Sequence, residues 1–469
     1  MASTSSTSSS ANASPMTPTP RRRRALALLL ALAGAASSRA GAPTPFAPAQ
    51  PGERVLYRDA TLVDGTGAAA QAHMDVLVAG ERIERVFPDS PLLPEDAGKA
   101  RVVDLRGRFV IPGLVDSHVH LATPPNRRQA EAALRRDLYG GVTAVRDMAD
   151  DLRALADVAR ASRVGEIPGA DVFYAALMAG PDFFSDERTH QTTAGGVAGE
   201  MPWMQAVTDR TDLPLAVARA AGTAATAIKL YADLTPDLAR RITQEAHRQH
   251  LLVWSHATLF PARPSEVVAA GVDTISHACL LVREPDARVP GWTETRPPVD
   301  LDRFRSGDDP VLARLFATMA ARGTILDATL WTYGDAPAKP GTCDAVVGGA
   351  IAGQAFRAGV PVSAGTDNFA TWDDPWPDLF HELAALASRA GMPPAAVIRS
   401  ATLVGARAAG QERDMGSIEA GKLANLVVLA RDPLETLDNL QSVVMTVKRG
   451  RAFRRADFVP LREGDITDF

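Results

Sequence analysis

Cysteine, long basic runs and long apolar runs are scarce in this chain of 469 residues. Two cysteines are too few for a disulfide scaffold or a cysteine-based zinc module. No long basic run occurs past residue 24 and the net charge is −5, so no nucleic-acid partner is expected. No short internal repeat is present, which excludes a solenoid. What remains is typical of a large globular protein, because 46% of the residues are hydrophobic and 22% are charged.

The first forty residues have the composition of an export signal. Residues 2–20 are mostly Ser, Thr, Ala and Pro, residues 21–24 are all arginine, and an apolar run at 25–36 precedes small residues at 37–40. That run is shorter than the ~20 residues that cross a bilayer, so no stable membrane insertion is expected. We predict an export signal at 1–40, a linker at 41–53 and a periplasmic or secreted protein. The twin-arginine and the unfolded-chain routes both stay open, and the alternative is a disordered basic tail.

The rest of the chain alternates between two patterns. Residues 54–108 and 410–469 contain short strand-like runs separated by turns, whereas residues 109–409 alternate short apolar runs with helical periods. Repeated strand–helix units over this length predict the α/β class, with a TIM-like (β/α)8 barrel beside a small β-sandwich domain built from both ends of the chain. Cys279 and Cys343 could pair in an oxidising compartment, but the sequence does not show whether they approach each other.

Metal-binding residue types recur where predicted barrel strands end. In a strand, residues i and i+2 point to the same side, so His118 and His120 can face one point. Barrel enzymes place their active sites at the carboxyl ends of the strands. Imidazole and carboxylate are ligands suited to zinc or manganese. The candidate set is His118, His120, Lys229, His256, His277 and Asp367.

Several motifs together resemble the metal-dependent amidohydrolase superfamily, in particular its imidazolonepropionase-like and prolidase-like (Xaa-Pro dipeptidase type) branch. The resemblance extends over about residues 54–455. The motifs are Ile-Pro-Gly at 111–113, Val-Asp-Ser-His-Val-His at 115–120, Ile-Lys at 228–229, Ser-His-Ala at 255–257 and 276–278, Ala-Gly-Thr-Asp-Asn at 364–368, and Gly-Ser-Ile-Glu-Ala-Gly-Lys-Leu-Ala-Asn-Leu-Val at 416–427.

This resemblance implies a site for two divalent metal ions, with zinc favoured and manganese or cobalt also suitable. His118, His120 and Asp367 would hold one ion, and His256 and His277 would hold the other. Lys229 would bridge both ions as a carbamate derived from CO2. Two cations ~3.5–4 Å apart lower the pKa of a bridging water, and Asp367 would be its general base and later the general acid.

The substrate side is less well defined. The branch usually carries a Gly-Gly-His element where this chain has residues 180–190, so His190 is a candidate pocket residue. Tyr231 follows Lys229 at i+2 and is a candidate hydrogen-bond donor to a substrate carboxylate or to the developing oxyanion. Aromatic residues after the late strands are candidates for an apolar pocket wall, or alternatively pack the barrel rim: Trp292, Trp331, Tyr333, Trp372 and Trp376.

Three functions stay open from the sequence. The first is an exported binuclear hydrolase that cleaves an amide bond, in a dipeptide such as Xaa-Pro or in an N-acyl amino acid. The second is a lactone or cyclic-amide hydrolase that uses the same site. The third is a catalytically inactive binding protein. The expected partner is a small molecule or a dipeptide, and the oligomeric state stays open, a homo-oligomer included.

Overall fold

The computed structural model describes residues 52–91, 97–334, 343–369, 371, 374–461 and 464. The predicted export signal and most of the predicted linker lie outside these residues, so both stay predictions. Within the part of the chain that is described, no helix has both the length and the apolar composition that a membrane crossing requires.

The strands fall into two sheets. At the N-terminal end are β1 Arg54–Leu62, β2 Gln71–Ala79, β3 Arg82–Pro88, β4 Arg101–Asp104 and β5 Phe109–Pro112. The central region contains β6 Leu114–His120, β7 Val142–Asp147, β8 Asp171–Ala179, β9 Glu200–Met201, β10 Met204–Ala206, β11 Ala227–Leu230, β12 Leu252–His256, β13 Thr274–Ser276, β14 Ile325–Asp327, β15 Val362–Ser363 and β16 Asn368–Phe369. The C-terminal end adds β17 Leu426–Leu429, β18 Val443–Lys448 and β19 Arg451–Arg454.

The helices lie mainly between the central strands. They are α1 Arg127–Tyr139, α2 Leu152–Val164, α3 Glu187–Gln191, α4 Leu213–Ala221, α5 Pro236–Arg248, α6 Pro264–Ala269, α7 Pro310–Arg322, α8 Ala345–Arg357, α9 Leu379–Ser388, α10 Pro394–Arg399 and α11 Gly405–Ala408. Polar N-cap side chains begin many of them, and Thr235 at the start of α5 accepts a hydrogen bond from the backbone of Leu238.

The central sheet is the predicted parallel barrel. Its order is β15-β14-β13-β12-β11-β8-β7-β6-β16, and neighbouring strands from β6 to β15 run parallel. Every residue of β7 and β11 is buried, as expected for strands covered on both faces. The segment after β15 returns to β6, because Ser117 N donates to Ala364 O (2.8 Å) and Asp367 N donates to His118 O (2.8 Å). These bonds bring the last barrel strand beside the first.

The other sheet joins the two ends of the chain, as predicted for the β domain. Its order is β19-β18-β17-β5-β1-β2-β3, and β4 also pairs with β1. Strand β5 pairs antiparallel with β17, with Ile111 opposite Val427. The sequence analysis assigned residues from 109 to the barrel, but this pairing places Phe109–Pro112 in the β domain. The barrel strands begin at Leu114.

A buried ion cluster ties the β domain to the barrel. Asp171, at the start of β8, forms ion pairs with Lys448 Nζ (2.8 Å) and with Arg449 Nη2 (2.8 Å). The three residues are 2%, 0% and 6% exposed, respectively, so each charge depends on its partners rather than on water. Burial disfavours ionisation of Asp171, but the two cations hold the pKa of its carboxyl below the usual value.

Candidate metal centre and active-site cavity

The six predicted ligands lie at the carboxyl ends of barrel strands and line one cavity. His118 and His120 occupy the end of β6, with ring centroids 5.6 Å apart. Lys229 lies within β11, and His256 is the last residue of β12. His277 follows β13 directly, and its ring centroid lies 4.7 Å from that of His256. The assignment of these residues as ligands stays a prediction, but the barrel brings all six side chains together.

Asp367 lies at the centre of the group. Its Oδ1 is 3.2 Å from His118 Nε2 and 3.4 Å from His120 Nε2, and its Oδ2 is 3.8 Å from His277 Nδ1. His118, His277 and Asp367 each offer a ligand atom within 4.8 Å of the others. Burial disfavours the charged carboxyl, but His118, with hydrogen bonds from His118 and His120, holds the pKa of Asp367 well below its usual value. An ionised carboxylate among imidazoles is a donor set that suits a divalent cation.

Two of the predicted ligands have a left-handed backbone conformation, which sets the direction of their side chains. His277 has φ 76° and Asp367 has φ 53°, a region that residues other than glycine seldom adopt. Each residue follows a barrel strand or its continuation, where the chain turns out of the sheet. Such conformations cost about 1–3 kcal/mol and often occur at functional sites.

Lys229 is buried without a partner. It is 1% exposed, and its Nζ has no hydrogen-bond acceptor within the described residues. Burial lowers the pKa of Lys229 to about 7, so a substantial fraction of the amine is neutral near physiological pH. A neutral amine is the form that combines with CO2. The environment of Lys229 therefore fits the predicted carbamate, which would attach a negatively charged, metal-binding carboxylate group to the lysine nitrogen.

His256 and His277 are in the neutral form that binds metals. Burial, reinforced by nearby Lys229, holds the pKa of His256 well below the usual value. Burial also lowers the pKa of His277 to about 3. Neutral imidazole has a free nitrogen lone pair, which is the group that coordinates a metal.

Two buried carboxylates orient the first pair of histidines, and the sequence analysis missed both. Asp327 Oδ2 accepts from His118 Nδ1 (2.7 Å), and Asp150 Oδ1 accepts from His120 Nδ1 (2.8 Å). With each Nδ1 occupied, each Nε2 turns towards Asp367. Carboxylates in this role fix the orientation of a ligating histidine and raise its basicity. Asp327 ends β14, so its place at a strand end was the sequence signal available.

The cavity has a volume of about 500 Å³ and mostly apolar walls beyond the ligands. The apolar lining consists of Met148, Ala149, Leu177, Phe183, Met204, Leu280, Tyr333 and Phe369. Phe369 is 43% exposed, and its ring stacks on His120 with centroids 5.2 Å apart. A carbon-rich space next to a polar centre suits a substrate with an apolar side group.

Tyr231, one of the predicted substrate contacts, lines this cavity. Its ring centroid lies 4.0 Å from that of His256 and 4.4 Å from that of Phe183. Burial raises the pKa of the Tyr231 hydroxyl, which therefore stays a hydrogen-bond donor at neutral pH.

The cavity wall does not include the other two predicted substrate contacts, His190 and Trp331. His190 lies in α3 and is exposed, and Arg188 of the same helix reaches the cavity instead. Successive helical residues rotate by ~100°, so residues two apart point in nearly opposite directions. Trp331 stacks on His381 (5.4 Å between centroids), while Tyr333, two residues later, lines the cavity.

The remaining aromatic candidates pack behind the wall or lie outside the described residues. Trp292 contacts the outer side of Phe183, with ring centroids 5.5 Å apart. Trp376 packs on Phe380 with ring centroids 5.8 Å apart, and Trp372 is outside the described residues. For Trp292 and Trp376, the rim-packing alternative describes the contacts observed.

Cys279 and Cys343 are joined by a disulfide, with Cα atoms 5.0 Å apart. Cys279 is two residues beyond His277, and Cys343 lines the cavity. The bond therefore links the segment that carries a predicted metal ligand to another part of the cavity wall.

Comparisons with known proteins show the family to which the chain belongs. Residues 109–453 match the Amidohydrolase family. An imidazolonepropionase of Anaeromyxobacter dehalogenans is 28% identical over 421 residues, which cover 81% of this chain and 90% of that protein.

Two solved structures share the fold. A Xaa-Pro dipeptidase with bound methionine in its active site has a TM-score of 0.65 at 20% identity, over 86% of this chain and 100% of that one. The A. niger ochratoxinase has a TM-score of 0.67 at 18% identity, over 88% of this chain and 98% of that one. The predicted resemblance is confirmed: the chain belongs to the amidohydrolase family of metal-dependent hydrolases that act on carbon–nitrogen bonds.

Proposed function

We propose that this amidohydrolase is an exported, binuclear enzyme that cleaves the amide bond of a small apolar substrate, either a dipeptide such as Xaa-Pro or an N-acyl amino acid. The observation that carries the proposal is the convergence of six ligand-type side chains on one cavity, where Lys229 Nζ is buried with no hydrogen-bond partner among the described residues.

The family resemblance implies how the six donors would divide between two ions. His118, His120 and Asp367 would hold one cation, His256 and His277 the other, and carbamylated Lys229 would contact both. When bound, two divalent cations polarise the scissile carbonyl and make water acidic enough to act as a nucleophile near neutral pH. Zinc fits this mixture of imidazole and carboxylate, and manganese or cobalt also fits.

Asp367 is placed to move the proton. Its side chain is 22% exposed, so it reaches the cavity while its oxygens face three histidines. Because its pKa is held well below the usual value, it is ionised at neutral pH and accepts a proton from the attacking water. The same oxygen then delivers that proton to the amide nitrogen as the carbon–nitrogen bond breaks.

Tyr231 and the apolar wall position the substrate. The protonated Tyr231 hydroxyl is available to donate a hydrogen bond to a substrate oxygen beside the centre. Phe183 and Phe369 line the cavity, where they would contact an apolar side group.

Export is supported by the disulfide. Disulfides persist in oxidising compartments and are rare in the cytosol, so the Cys279–Cys343 bond agrees with the predicted export signal at 1–40. Fractionating the producing cells and sequencing the N-terminus of the mature protein tests this part. A full-length chain in the cytosol would contradict it.

A side-by-side turnover assay tests the reaction itself. Metal-loaded protein is given Xaa-Pro dipeptides, N-acyl amino acids, lactones and cyclic amides, each alongside the Asp367→Asn variant. The proposal expects the linear amides to be the best substrates and the variant to be inactive on them. Preferential turnover of a lactone or a cyclic amide would move the assignment to the second hypothesis, and no turnover at all would favour a binding protein.

A further inference from the structure

Two helices of the barrel begin with the same ion pair, in which the N-cap aspartate binds the guanidinium of the arginine two residues later. In α2 these residues are Asp151 and Arg153, and in α3 they are Asp186 and Arg188. In both pairs, Nε lies 3.0 Å from Oδ1 and Nη2 lies 2.7 Å from Oδ2. The first turn of each helix thus holds a guanidinium through a local ion pair.

The two guanidinium groups face different surroundings. Arg188 lines the cavity, and its Cζ lies 5.9 Å from the ring centroid of Tyr231. The hydrogen bond to Asp186, reinforced by Tyr231, raises the pKa of the Arg188 guanidinium. Arg153 instead lies over the ring of Trp203 (4.8 Å) and donates to Ala194 O (2.9 Å), and it does not line the cavity.

Arg188 is the single arginine among the described residues that line the cavity. The one lysine there, Lys229, lies at the predicted metal centre. A guanidinium has five N–H donors, and Asp186 occupies two of them. The guanidinium carbon lies 5.9 Å from the centroid of the Tyr231 ring, and that ring contacts His256. A guanidinium held in place near a tyrosine side chain is an arrangement that binds a carboxylate.

We propose that Arg188 binds the carboxylate of the substrate and makes the enzyme selective for N-acylated amino acids and dipeptides with a free carboxyl group. The inference rests on the proposed amide hydrolysis. In such substrates the α-carboxylate is two bonds from the amide nitrogen. When the amide is held at Asp367, the carboxylate therefore stays inside the same cavity, whose wall carries Tyr231 beside His256 and Arg188 beside Tyr231. Arg188 is a specificity-determining residue and takes no part in the bond-breaking step.

The test compares two ligands that differ in one charge, N-acetyl-L-phenylalanine and N-acetyl-L-phenylalaninamide, on metal-loaded protein. Steady-state kinetics are used where the ligand is hydrolysed, and calorimetric binding where it is not. Arg188→Met should lower the affinity for the acid, or its kcat/KM, by roughly 10- to 100-fold, mainly through KM. The same quantities for the carboxamide should change little. Arg188→Lys keeps the charge but not the planar set of N–H donors. Its affinity for the acid should lie between those of the wild type and Arg188→Met.

Arg153→Met is the matched control, because it breaks the same local ion pair outside the cavity. It should leave the preference for the acid unchanged. The inference is overturned if Arg188→Met keeps that preference, if it weakens acid and carboxamide alike, or if the wild type binds neither ligand. Binding of the acid without hydrolysis by the wild type would count against the proposed function for this substrate. The calorimetric comparison would still decide the role of Arg188.

Discussion

Removing the Asp327 carboxylate should damage both the barrel and its metal centre. Asp327 is fully buried, and its Oδ2 accepts from His118 Nδ1 (2.7 Å), Arg146 Nη2 (2.9 Å) and Ser276 Oγ (2.9 Å). Burial disfavours its charge, but His118 and Arg146 hold the pKa of Asp327 below the usual value. In Asp327→Ala, the guanidinium of Arg146 is left at 0% exposure without its carboxylate.

The size of the effect follows from that uncompensated charge. Breaking a buried ion pair by removing one partner costs about 3–5 kcal/mol in free energy of unfolding. Replacing both partners by apolar residues is far less costly, so Asp327→Leu combined with Arg146→Met should recover much of the loss. His118 loses its orienting acceptor in every Asp327 variant, so metal affinity should fall by roughly 10- to 100-fold even where stability recovers.

Urea unfolding of the metal-free protein measures the first effect. Tryptophan fluorescence suits the assay, because the indole of Trp254 lies 4.6 Å from Arg146 Cζ. Competition with a metal indicator measures the second effect on folded protein. The reasoning about the buried Asp327–Arg146 pair would be refuted by either of two results. One is a loss in free energy of unfolding below about 1 kcal/mol in Asp327→Ala, and the other is a double variant as unstable as the single one.

Three further predictions concern other parts of the molecule. Asp367→Asn should keep much of the bound metal but lose orders of magnitude in turnover, and metal analysis beside steady-state kinetics checks it; retained turnover would remove Asp367 as the base. Replacing Cys279 and Cys343 by serine opens a loop of about 65 residues and should cost roughly 4 kcal/mol in the chain-entropy account, measured by urea unfolding beside the oxidised wild type. Asp171→Asn removes the carboxylate that Lys448 and Arg449 share, leaving Arg449 its second ion pair with Glu81 (3.2 Å), and should cost about 3–5 kcal/mol in the same assay. A wild-type midpoint would show that this cluster does not stabilise the domain contact.

The arrangement of the candidate ligands follows directly from strand periodicity. His118 and His120 share a side because they are two apart in β6, and the other candidates lie at or just beyond the ends of neighbouring parallel strands. Parallel strands bring their carboxyl ends to one edge, so their order along the chain was enough to predict a common cavity.

The residues that orient those ligands could not be identified in the same way. Asp327, at the end of β14, and Asp150, between β7 and α2, both bind histidines of β6. Hydrogen-bond partners so far apart in the sequence leave no local pattern. The choice between His190 and Arg188 depends on the short helix α3, whose rotation decides which side chain faces the cavity. The assignment of Phe109–Pro112 failed for a related reason, because its partner strand β17 lies more than 300 residues away.

Metal content tests the central claim most directly. Protein purified with bicarbonate is analysed by mass spectrometry beside Lys229→Ala, and beside that variant with added acetate, whose carboxylate can occupy the space that the lysine leaves. The account predicts close to two ions per chain in the wild type, a sharp fall in Lys229→Ala and a partial return with acetate. A single ion per chain that the variant leaves unchanged would contradict it.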